Sequence, residues 1–191
     1  MPEPTYADPG YFERLYARDP DPWGFATSEY ERDKYAATLD ALPPGRYTRA
    51  FEVGCSIGVF TRQLAASCDE LLAVDVSALA LRQAEERCMD QPWVQFAQMD
   101  LRHEWPGGSF DLIVFSEVLY YLGLDGIEAA AKHTLEALAP GGSVALVNWH
   151  GPTDGACTGD EAATMFIAQC RPRLTPAVQR RAEKYRLDVL K

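Results

Sequence analysis

The sequence predicts an α/β protein with a mostly parallel β-sheet that helices cover on both faces. Short apolar segments alternate with segments of helical spacing along most of the chain. The first apolar segment is followed by a glycine turn, residues 54–58, and the second ends at Asp75. Strands that alternate with helices form βαβ units, in which neighbouring strands run parallel. We therefore expect one domain over residues 1–191, with an amino-terminal part (1–45) and a core (46–191).

The amino-terminal part is predicted to be a lid followed by one helix. Residues 1–28 are rich in proline, aspartate, glycine and aromatic residues. The segment DPDPWG at 19–24 excludes a helix, because each proline disfavours the αR conformation of the residue before it. Ser28 is the expected N-cap of a helix over 29–42, which Pro43-Pro44-Gly45 ends. An alternative is that the aromatic residues only staple this helix to the core.

The core is predicted to alternate strands and helices. Strands are expected at 50–54, 71–75, 94–99, 110–115 and 143–149, and helices at 59–67, 79–89, 127–138 and 160–170. Ser77 is the expected N-cap of the helix at 79–89. Two terminal strands, at 178–181 and 185–190, complete a seven-stranded sheet.

Composition argues against several classes of protein. The chain has 191 residues, a formal net charge of −10 and no basic run, which argues against nucleic-acid binding. The acidic balance suits a cationic or neutral small substrate, or serves solubility alone. The five cysteines are widely spaced, without a CxxC pair or a His/Cys cluster, so neither a metal site nor a disulfide framework is expected. With no leader and no apolar run of spanning length, the expected location is the cytoplasm.

The turn after the first strand points to a cofactor. Its pattern is Glu52-x-Gly54-x-x-x-Gly58, without the third glycine of a dinucleotide-binding motif. The two glycines let the backbone pass close under a ligand. A carboxylate at Glu52 repels a pyrophosphate but suits an ammonium group, and Asp75 stands where a carboxylate accepts hydrogen bonds from ribose hydroxyls. These residues favour S-adenosylmethionine (SAM), which has an ammonium group and no phosphate.

The chain resembles the class I SAM-dependent methyltransferases over nearly all of its length. Besides the turn and Asp75, the resemblance rests on Asp100-Leu101, on the strand at 111–114 and on the turn at 138–142. It implies a Rossmann-like fold in which the glycine turn holds the methionine part of SAM, Asp75 the ribose and Asp100 the adenine amine. From the lid, Arg32 with Lys34 nearby is expected to hold the SAM carboxylate. The implied cofactor-binding residues are Glu52, Gly54, Cys55, Gly58, Asp75, Val76, Asp100, Leu101, Ser116, Trp23, Tyr30 and Arg32.

A narrower resemblance is to the NodS-type group of nodulation N-methyltransferases. It is carried by DPWGF at 21–25, SEYERDKY at 28–35, GCSIG at 54–58, SEVLYYL at 116–122, HGP at 150–152 and YRLDVL at 185–190. Family members with a known role methylate a free glucosamine nitrogen on a deacetylated chitooligosaccharide. The resemblance implies N-methylation of an amino-sugar or oligosaccharide-type small acceptor. Related sequences in bacteria that make no nodulation signal leave the acceptor itself open.

Candidate catalytic residues follow strands four and five, since ligands bind at the carboxyl ends of strands in open α/β sheets. Glu117 is the first choice for a carboxylate that faces the acceptor amine, and Tyr120 is expected to stack on the acceptor. His150 is a candidate acid–base group or acceptor ligand. The alternative for Glu117 is a helix-capping or solvated carboxylate, and the alternative for His150 is a structural loop histidine.

Two other functions stay open from the sequence. One is an O-methyltransferase on a small hydroxylated metabolite, which would need a stronger base than an amine acceptor requires. The other is a SAM-binding protein without catalysis. The acceptor is expected to be a small molecule or an oligosaccharide, with S-adenosylhomocysteine (SAH) as the product, and the protein is expected to be a monomer or a weak homodimer.

Overall fold

The computed structural model describes residues 9–171 and 173–191 and contains one seven-stranded sheet. The strands are β1 (Tyr47–Val53), β2 (Cys68–Asp75), β3 (Val94–Gln98), β4 (Phe110–Ser116), β5 (Leu138–Trp149), β6 (Pro176–Arg181) and β7 (Tyr185–Leu190). Their order in the sheet is β3-β2-β1-β4-β5-β7-β6. Strands β1 to β5 run parallel, and β7 runs antiparallel to both β5 and β6. The predicted fold class is therefore confirmed.

The helices lie close to the predicted positions. They are α1 (Pro9–Arg18), α2 (Glu29–Ala41), α3 (Val59–Leu64), α4 (Ala78–Arg87), α5 (Gly123–Ala137) and α6 (Gly159–Cys170), with short 3-10 helices at Ala65–Ser67 and Leu119–Tyr121. The two predicted N-caps are confirmed, because the hydroxyls of Ser28 and Ser77 accept hydrogen bonds from the N–H groups of Glu31 and Ala80. Within the described ranges, no helix has the length and apolar character that crossing a bilayer requires.

Helix α1 was not predicted from the sequence, and neither was the short 3-10 helix at Leu119–Tyr121. The proline and glycine content of residues 1–28 led to a lid without a helix, but Pro9 occupies the first helical position, where its missing N–H costs nothing. Helix α1 then ends at Arg18, directly before the DPDPWG segment, which is not helical, as predicted. The first eight residues of the predicted lid lie outside the described residues.

The central strand β4 divides the core into two halves. Leu112 and Val114 point into a cluster with α2 and α3, and Ile113 and Phe115 point into a cluster with α5 and α6. All four side chains are fully buried. Successive side chains of a strand alternate between the faces of a sheet, so an unbroken apolar run is what a strand buried on both faces requires.

The sheet topology places the carboxyl ends of the parallel strands along one edge. The strand order reverses between β1 and β4, where β1 pairs with β2 on one side and with β4 on the other. The connections after these two strands leave the sheet in opposite directions and open a crevice between them. Ligands of open α/β sheets bind in this crevice, so the fold itself locates the candidate site.

Candidate functional site

A cavity of about 600 Å³ lies at the carboxyl ends of β1, β2, β4 and β5, and residues of α1 and α2 contribute to its walls. The structure brings ten of the sequence-predicted site residues to this cavity: Trp23, Tyr30, Gly54, Asp75, Val76, Asp100, Leu101, Ser116, Glu117 and Tyr120. Five others do not line it: Arg32, Glu52, Cys55, Gly58 and His150.

The glycine turn after β1 forms the floor of the cavity. Gly54 has a φ of +77°, and Ser56 has a φ of +50°, a left-handed conformation that is uncommon for residues other than glycine. The Ser56 N–H donates to Oδ2 of Asp75 at 2.9 Å. The Ser56 hydroxyl also forms a short hydrogen bond with the hydroxyl of Tyr16 on α1. Ser56, which stands where a glycine is common, therefore joins the turn to the end of β2 and to α1.

Protein contacts favour glycine at both positions of the turn, in addition to the room that the glycines would give a ligand. A Cβ on Gly58 would lie 2.8 Å from Cα of Ala84, so Gly58 allows α4 to pack against the turn. A Cβ on Gly54 would lie 3.2 Å from the carbonyl oxygen of Ser116 and from Cβ of Val118. Only Gly54 also lines the cavity. Glycine is favoured at such turns for two reasons, a positive φ and the close approach of a neighbouring element, and both apply here.

Asp75 connects three segments at the end of β2. Its Oδ1 accepts from the Ser77 N–H at 2.9 Å, and its Oδ2 accepts from the Ser56 N–H of the glycine turn. Burial raises the pKa of Asp75, the backbone hydrogen bonds oppose this shift, and the charge of Glu13 adds to it. Glu13 belongs to α1 and accepts hydrogen bonds from the Ser77 hydroxyl at 2.6 Å and from the Leu79 N–H at 3.3 Å. A carboxylate there favourably meets the positive end of the α4 dipole.

Asp100, after β3, is bound in the structure by Arg102. The guanidinium donates through Nε to Oδ1 at 2.9 Å and through Nη2 to Oδ2 at 2.6 Å. Burial acts to raise the pKa of Asp100, but the hydrogen bonds and the charge of Arg102 outweigh burial and lower it. Asp100 is therefore an ionised acceptor at the cavity wall, and Arg102 beside it also lines the cavity.

Aromatic side chains from α1 and the following loop form a roof. The ring of Trp23 stacks on Phe25 with centroids 5.5 Å apart and meets Tyr16 edge-on at 5.7 Å. Phe12 packs edge-on against Tyr121 at 5.0 Å, and its ring centroid lies 6.5 Å from that of Trp23. The Tyr11 hydroxyl donates to Asp154 in the β5–α6 loop at 3.0 Å. These contacts hold α1 over the cavity in the structure.

Glu117 lies between β4 and the neighbouring 3-10 helix in a left-handed conformation, with a φ of +58°. Three donors bind its carboxylate. Lys34 Nζ is 2.6 Å from Oε1, while the Tyr120 hydroxyl at 3.1 Å and the Trp149 N–H at 2.5 Å donate to Oε2. Glu117 is thus a fixed carboxylate at the cavity wall, which is neither a helix cap nor freely solvated.

The Tyr30 ring occupies the same end of the cavity. Nζ of Lys34 and Nζ of Lys184 each lie 5.3 Å from the centroid of its ring, and Trp149 meets it edge-on at 6.3 Å. Burial, with a further contribution from the charge of Glu117, raises the pKa of Tyr30, so its hydroxyl stays protonated at neutral pH. Within the described part of the chain, this buried hydroxyl has no hydrogen-bond partner. It is a polar group left over for a ligand.

Glu52 and Cys55 lie below the cavity wall. Glu52 is 1% exposed near the end of β1, and the Cys55 side chain packs with Ala73 and Leu81 under the turn. The expected direct contact of Glu52 with a ligand ammonium group is corrected, because its side chain points into the protein interior between the sheet and α3. Burial raises the pKa of Glu52 to about 8. Glu52 supports the turn from beneath.

Arg32 and His150 point away from the cavity. The Arg32 side chain is 65% exposed and pairs with Glu29 at 3.4 Å on the outer face of α2. Lys34 was expected to bind a ligand carboxylate. In the structure its ammonium group instead forms ion pairs with Glu31 and Glu117. Nε2 of His150 lies 3.1 Å from the carbonyl oxygen of Ala182, to which it donates. The β6–β7 hairpin therefore holds His150, as in the structural alternative.

Several side chains that line or support the cavity were not predicted from the sequence and are contributed by distant elements. They are Glu13 and Tyr16 of α1, Arg102 after β3, Asp154 after β5, and Lys34 in its contact with Glu117. The spacing Glu31-x-x-Lys34 was a local signal for an ion pair on one helix face. No local pattern indicated that this pair would be buried against β4. Among the described residues, no group of histidine, cysteine or acidic side chains is arranged to hold a metal ion.

Comparisons with known proteins agree with this architecture. The model of the family described as Nodulation protein S (NodS) matches residues 12–158. The chain is 38% identical over 131 residues to Nodulation protein S of Bradyrhizobium diazoefficiens, which covers 67% of this chain and 62% of that protein. It is 35% identical over 124 residues to Nodulation protein S of Sinorhizobium fredii. These residues make up 64% of this chain and 57% of that protein. The chain thus spans less than two thirds of the length of these curated relatives.

One solved structure is similar over nearly the whole chain. It is the crystal structure of the N-methyltransferase NodS from Bradyrhizobium japonicum WM9 in complex with S-adenosyl-L-homocysteine. The TM-score is 0.82 at 27% sequence identity, and the superposition covers 95% of this chain and 96% of that chain.

Proposed function

The chain belongs to the Nodulation protein S (NodS) family, and from this premise we propose that it is a SAM-dependent methyltransferase. The resemblance drawn from the sequence motifs is thereby confirmed at the level of the family. The donor is SAM, and its product is SAH. The observation that carries this proposal is the cavity itself, which Gly54, Asp75 and Asp100 line together at the ends of three neighbouring strands.

The chemistry of the cavity wall fits this cofactor. Asp75 and Asp100 offer carboxylate acceptors to the hydroxyl and amine donors of an adenosine, while Trp23 and Phe25 offer aromatic faces. The Tyr30 hydroxyl is a buried donor without a partner among the described residues. We propose that Gly54, Val76, Leu101, Ser116, Trp23 and Tyr30 contact SAM as well. Glu52, Cys55, Gly58 and Arg32 act on it only through the elements that they support.

Methyl transfer needs orientation more than strong acid–base groups. When bound, SAM supplies an activated methyl group. The amine nitrogen forms the new N–C bond while the C–S bond breaks and its electron pair goes to sulfur. The methylated amine leaves as a cation and then loses its proton to water. The residues of the chain bind the acceptor as a neutral amine, and the roof of α1 excludes water. Glu117 faces the positive charge that the nitrogen gains.

We further propose that the acceptor is an amine on an amino-sugar or oligosaccharide-type molecule. The support is the part of the cavity around Glu117, which we call the acceptor end. It is lined by Glu31, Lys34, Glu117, Tyr120 and Trp149. Aromatic faces of Tyr120 and Trp149 suit a sugar ring, and two acidic side chains against one lysine suit a group that becomes cationic. An alcohol acceptor would need a base, and His150, the candidate for that role, is bound to Ala182.

The test is methyl transfer from labelled SAM to matched acceptors. Deacetylated chitooligosaccharides are compared with the same oligomers after full N-acetylation, which removes every free amine and keeps the hydroxyls. We expect labelled product only with the free amines. Label on the acetylated oligomers would replace the proposal with O-methylation. Tight SAH binding without transfer to any acceptor would favour a binding protein without catalysis.

A protein control assigns the activity to the cavity. Asp75→Ala removes a cavity carboxylate of β2 and should abolish most of the transfer. Asp69→Asn changes an exposed aspartate near the other end of β2, which pairs with exposed Arg46, and should keep the activity of the native chain. Equal activity of the two variants would place the methyl transfer outside this cavity.

We place the protein in the cytoplasm as a monomer or weak homodimer. The support for the compartment is that all five cysteines are free thiols and four of them are buried, a state that a reducing environment maintains. Sedimentation at several protein concentrations measures the association.

A further inference from the structure

A buried lysine lies at the acceptor end of the cavity. The Lys34 side chain is 2% exposed, and its Nζ lies 2.6 Å from Oε1 of Glu117. The same Nζ lies 3.0 Å from Oε1 and 2.9 Å from Oε2 of Glu31, one turn earlier on α2. Its nearest aromatic rings are those of Tyr30 at 5.3 Å and Tyr35 at 5.9 Å. Two acidic side chains thus face one ammonium group.

The two glutamates keep the buried amine of Lys34 in its charged form. Burial acts to lower the pKa of Lys34, but the charges of Glu117 and Glu31 and their hydrogen bonds outweigh burial and raise it. Lys34 therefore carries its positive charge at neutral pH. A buried charge without partners is strongly unfavourable, so the lysine and the two glutamates depend on one another.

The geometry of Glu117 shows what this cation does. The left-handed backbone of Glu117 is unfavourable for a residue with a Cβ, and such conformations persist where surrounding contacts impose them. Lys34, the Tyr120 hydroxyl and the Trp149 N–H fill three of the roughly four accepting positions of the carboxylate. One accepting position is left for an N–H group of a molecule in the cavity.

We infer that Lys34 is a positioning residue for methyl transfer, which holds the Glu117 carboxylate in one orientation facing the acceptor nitrogen. The inference rests on the proposed function, since it assigns a role in that reaction. A carboxylate that is already oriented stabilises the developing positive charge without reorganisation at the moment of reaction. Lys34 thus acts through Glu117. This role differs from the expectation, drawn from the sequence, that Lys34 helps to bind the carboxylate of SAM.

The variants separate this role from folding and from cofactor binding. Lys34→Met combined with Glu31→Gln removes the ammonium group together with one facing carboxylate, which avoids leaving two buried acidic groups with no cation. Lys34→Arg keeps the charge, and Glu31→Gln alone keeps the pair with Glu117. Lys132→Met, on the exposed face of α5, is the matched control for a lysine-to-methionine change.

The expected result is a loss in kcat without a loss in binding. The Lys34→Met/Glu31→Gln variant should lose about 30-fold or more in kcat, with the acceptor KM and the SAH Kd changed by less than about threefold. Lys34→Arg should recover most of this loss, Glu31→Gln should lose less than the double variant, and Lys132→Met should stay close to the native chain. An unchanged kcat would overturn the inference. So would a tenfold weaker SAH Kd, which would show that Lys34 binds the cofactor carboxylate.

A second measurement needs no acceptor, so it stands even if the proposed function fails. The pH titration of Lys34 is followed by NMR of labelled lysine side chains in the protein without ligand. The charged groups and hydroxyls that face Lys34 or Glu117 are Glu31, Glu117, Tyr30, Tyr35, Tyr120 and Tyr121. Adding Glu117→Gln to Glu31→Gln removes the last carboxylate, so the Lys34 midpoint should fall by at least about one pH unit relative to Glu31→Gln. An unchanged midpoint would contradict the coupling of Lys34 to Glu117.

Discussion

Single residues under the glycine turn are constrained by the protein interior more than by the cavity. Gly58 is required by Ala84 of α4, and Ser56 keeps its left-handed conformation because its N–H and hydroxyl bind Asp75 and Tyr16. Glu52 lies near the end of β1, directly before this turn. Its side chain is fully buried, and its Oε2 has no hydrogen-bond partner in the described ranges.

The burial of Glu52 makes stability depend on pH. Burial raises the pKa of Glu52 to about 8, and the neighbouring Thr61 opposes the shift only in part. In the unfolded chain a glutamate titrates near 4.3. The folded protein therefore keeps a proton that the unfolded chain releases between these two values. The favourable contribution of the protonated group is complete below the lower value and is lost as the pH rises towards 8.

Glu52→Gln should remove this dependence. The free energy of unfolding of the native chain, relative to the variant, should fall between about pH 5 and pH 8, by at most roughly 1.4 kcal/mol per pH unit. Urea unfolding at several pH values measures the difference. Glu70→Gln, an exposed glutamate of β2, is the control and should show no such trend. A constant difference between the native chain and Glu52→Gln would contradict the assignment.

Among the elements, α1 lies over the cavity and contributes Phe12 and Tyr16 to its walls. Its contacts are polar at both ends of the cavity: Glu13 binds the start of α4, Tyr16 binds the turn, and Tyr11 binds the β5–α6 loop. Each of these partners is far away in sequence. Because the helix is short, these tertiary contacts rather than its own propensity keep it in place.

Glu13→Ala should loosen α1 without unfolding the core. It removes the acceptor for the Ser77 hydroxyl and the Leu79 N–H at the start of α4, a loss comparable to that of an N-cap. We expect faster hydrogen exchange over 9–18 and roughly tenfold weaker SAH binding by calorimetry. Glu85→Ala, on the exposed side of α4, should change neither quantity. Native SAH affinity in Glu13→Ala would show that α1 does not close on the cofactor.

On the scale of the whole molecule, charge and topology act together. The formal net charge of −10 gives the protein a field that attracts cations. The topology concentrates Asp75, Asp100 and Glu117 at the carboxyl edge of the sheet, where the cavity opens. The field therefore favours the approach of a cationic molecule, and the proposed amine acceptor is mostly protonated, and so cationic, in solution at neutral pH.

Salt should weaken the encounter with the acceptor more than cofactor binding. The KM for a deacetylated chitooligosaccharide should rise several-fold between about 0.05 and 0.5 M NaCl, because added ions screen the field. The Kd of SAH, which carries no net charge, should change little over the same range. Steady-state kinetics and calorimetry give the two values. Equal salt dependence of both quantities would be evidence against electrostatic attraction of the acceptor.

Much of the fold and part of the site were predictable because the signals were local. The alternation of strands and helices, the caps at Ser28 and Ser77, and the positions of Gly54, Asp75 and Asp100 at strand ends follow from periodicity and turn chemistry within short windows. Helix α1 was missed because its proline and glycine content hides a short helix whose stability comes from distant contacts.

The sequence by itself determined the sheet, the turn and which acidic residues end the strands, since backbone preferences and apolar periods act between near neighbours. Only the tertiary structure decided which of these side chains meet in the cavity. Glu13 meets Ser77 across 64 residues, and Lys34 meets Glu117 across 83. It also turned His150 towards the β6–β7 hairpin and buried Glu52 beneath the turn. A contact between distant residues is set by packing, which local sequence patterns do not encode.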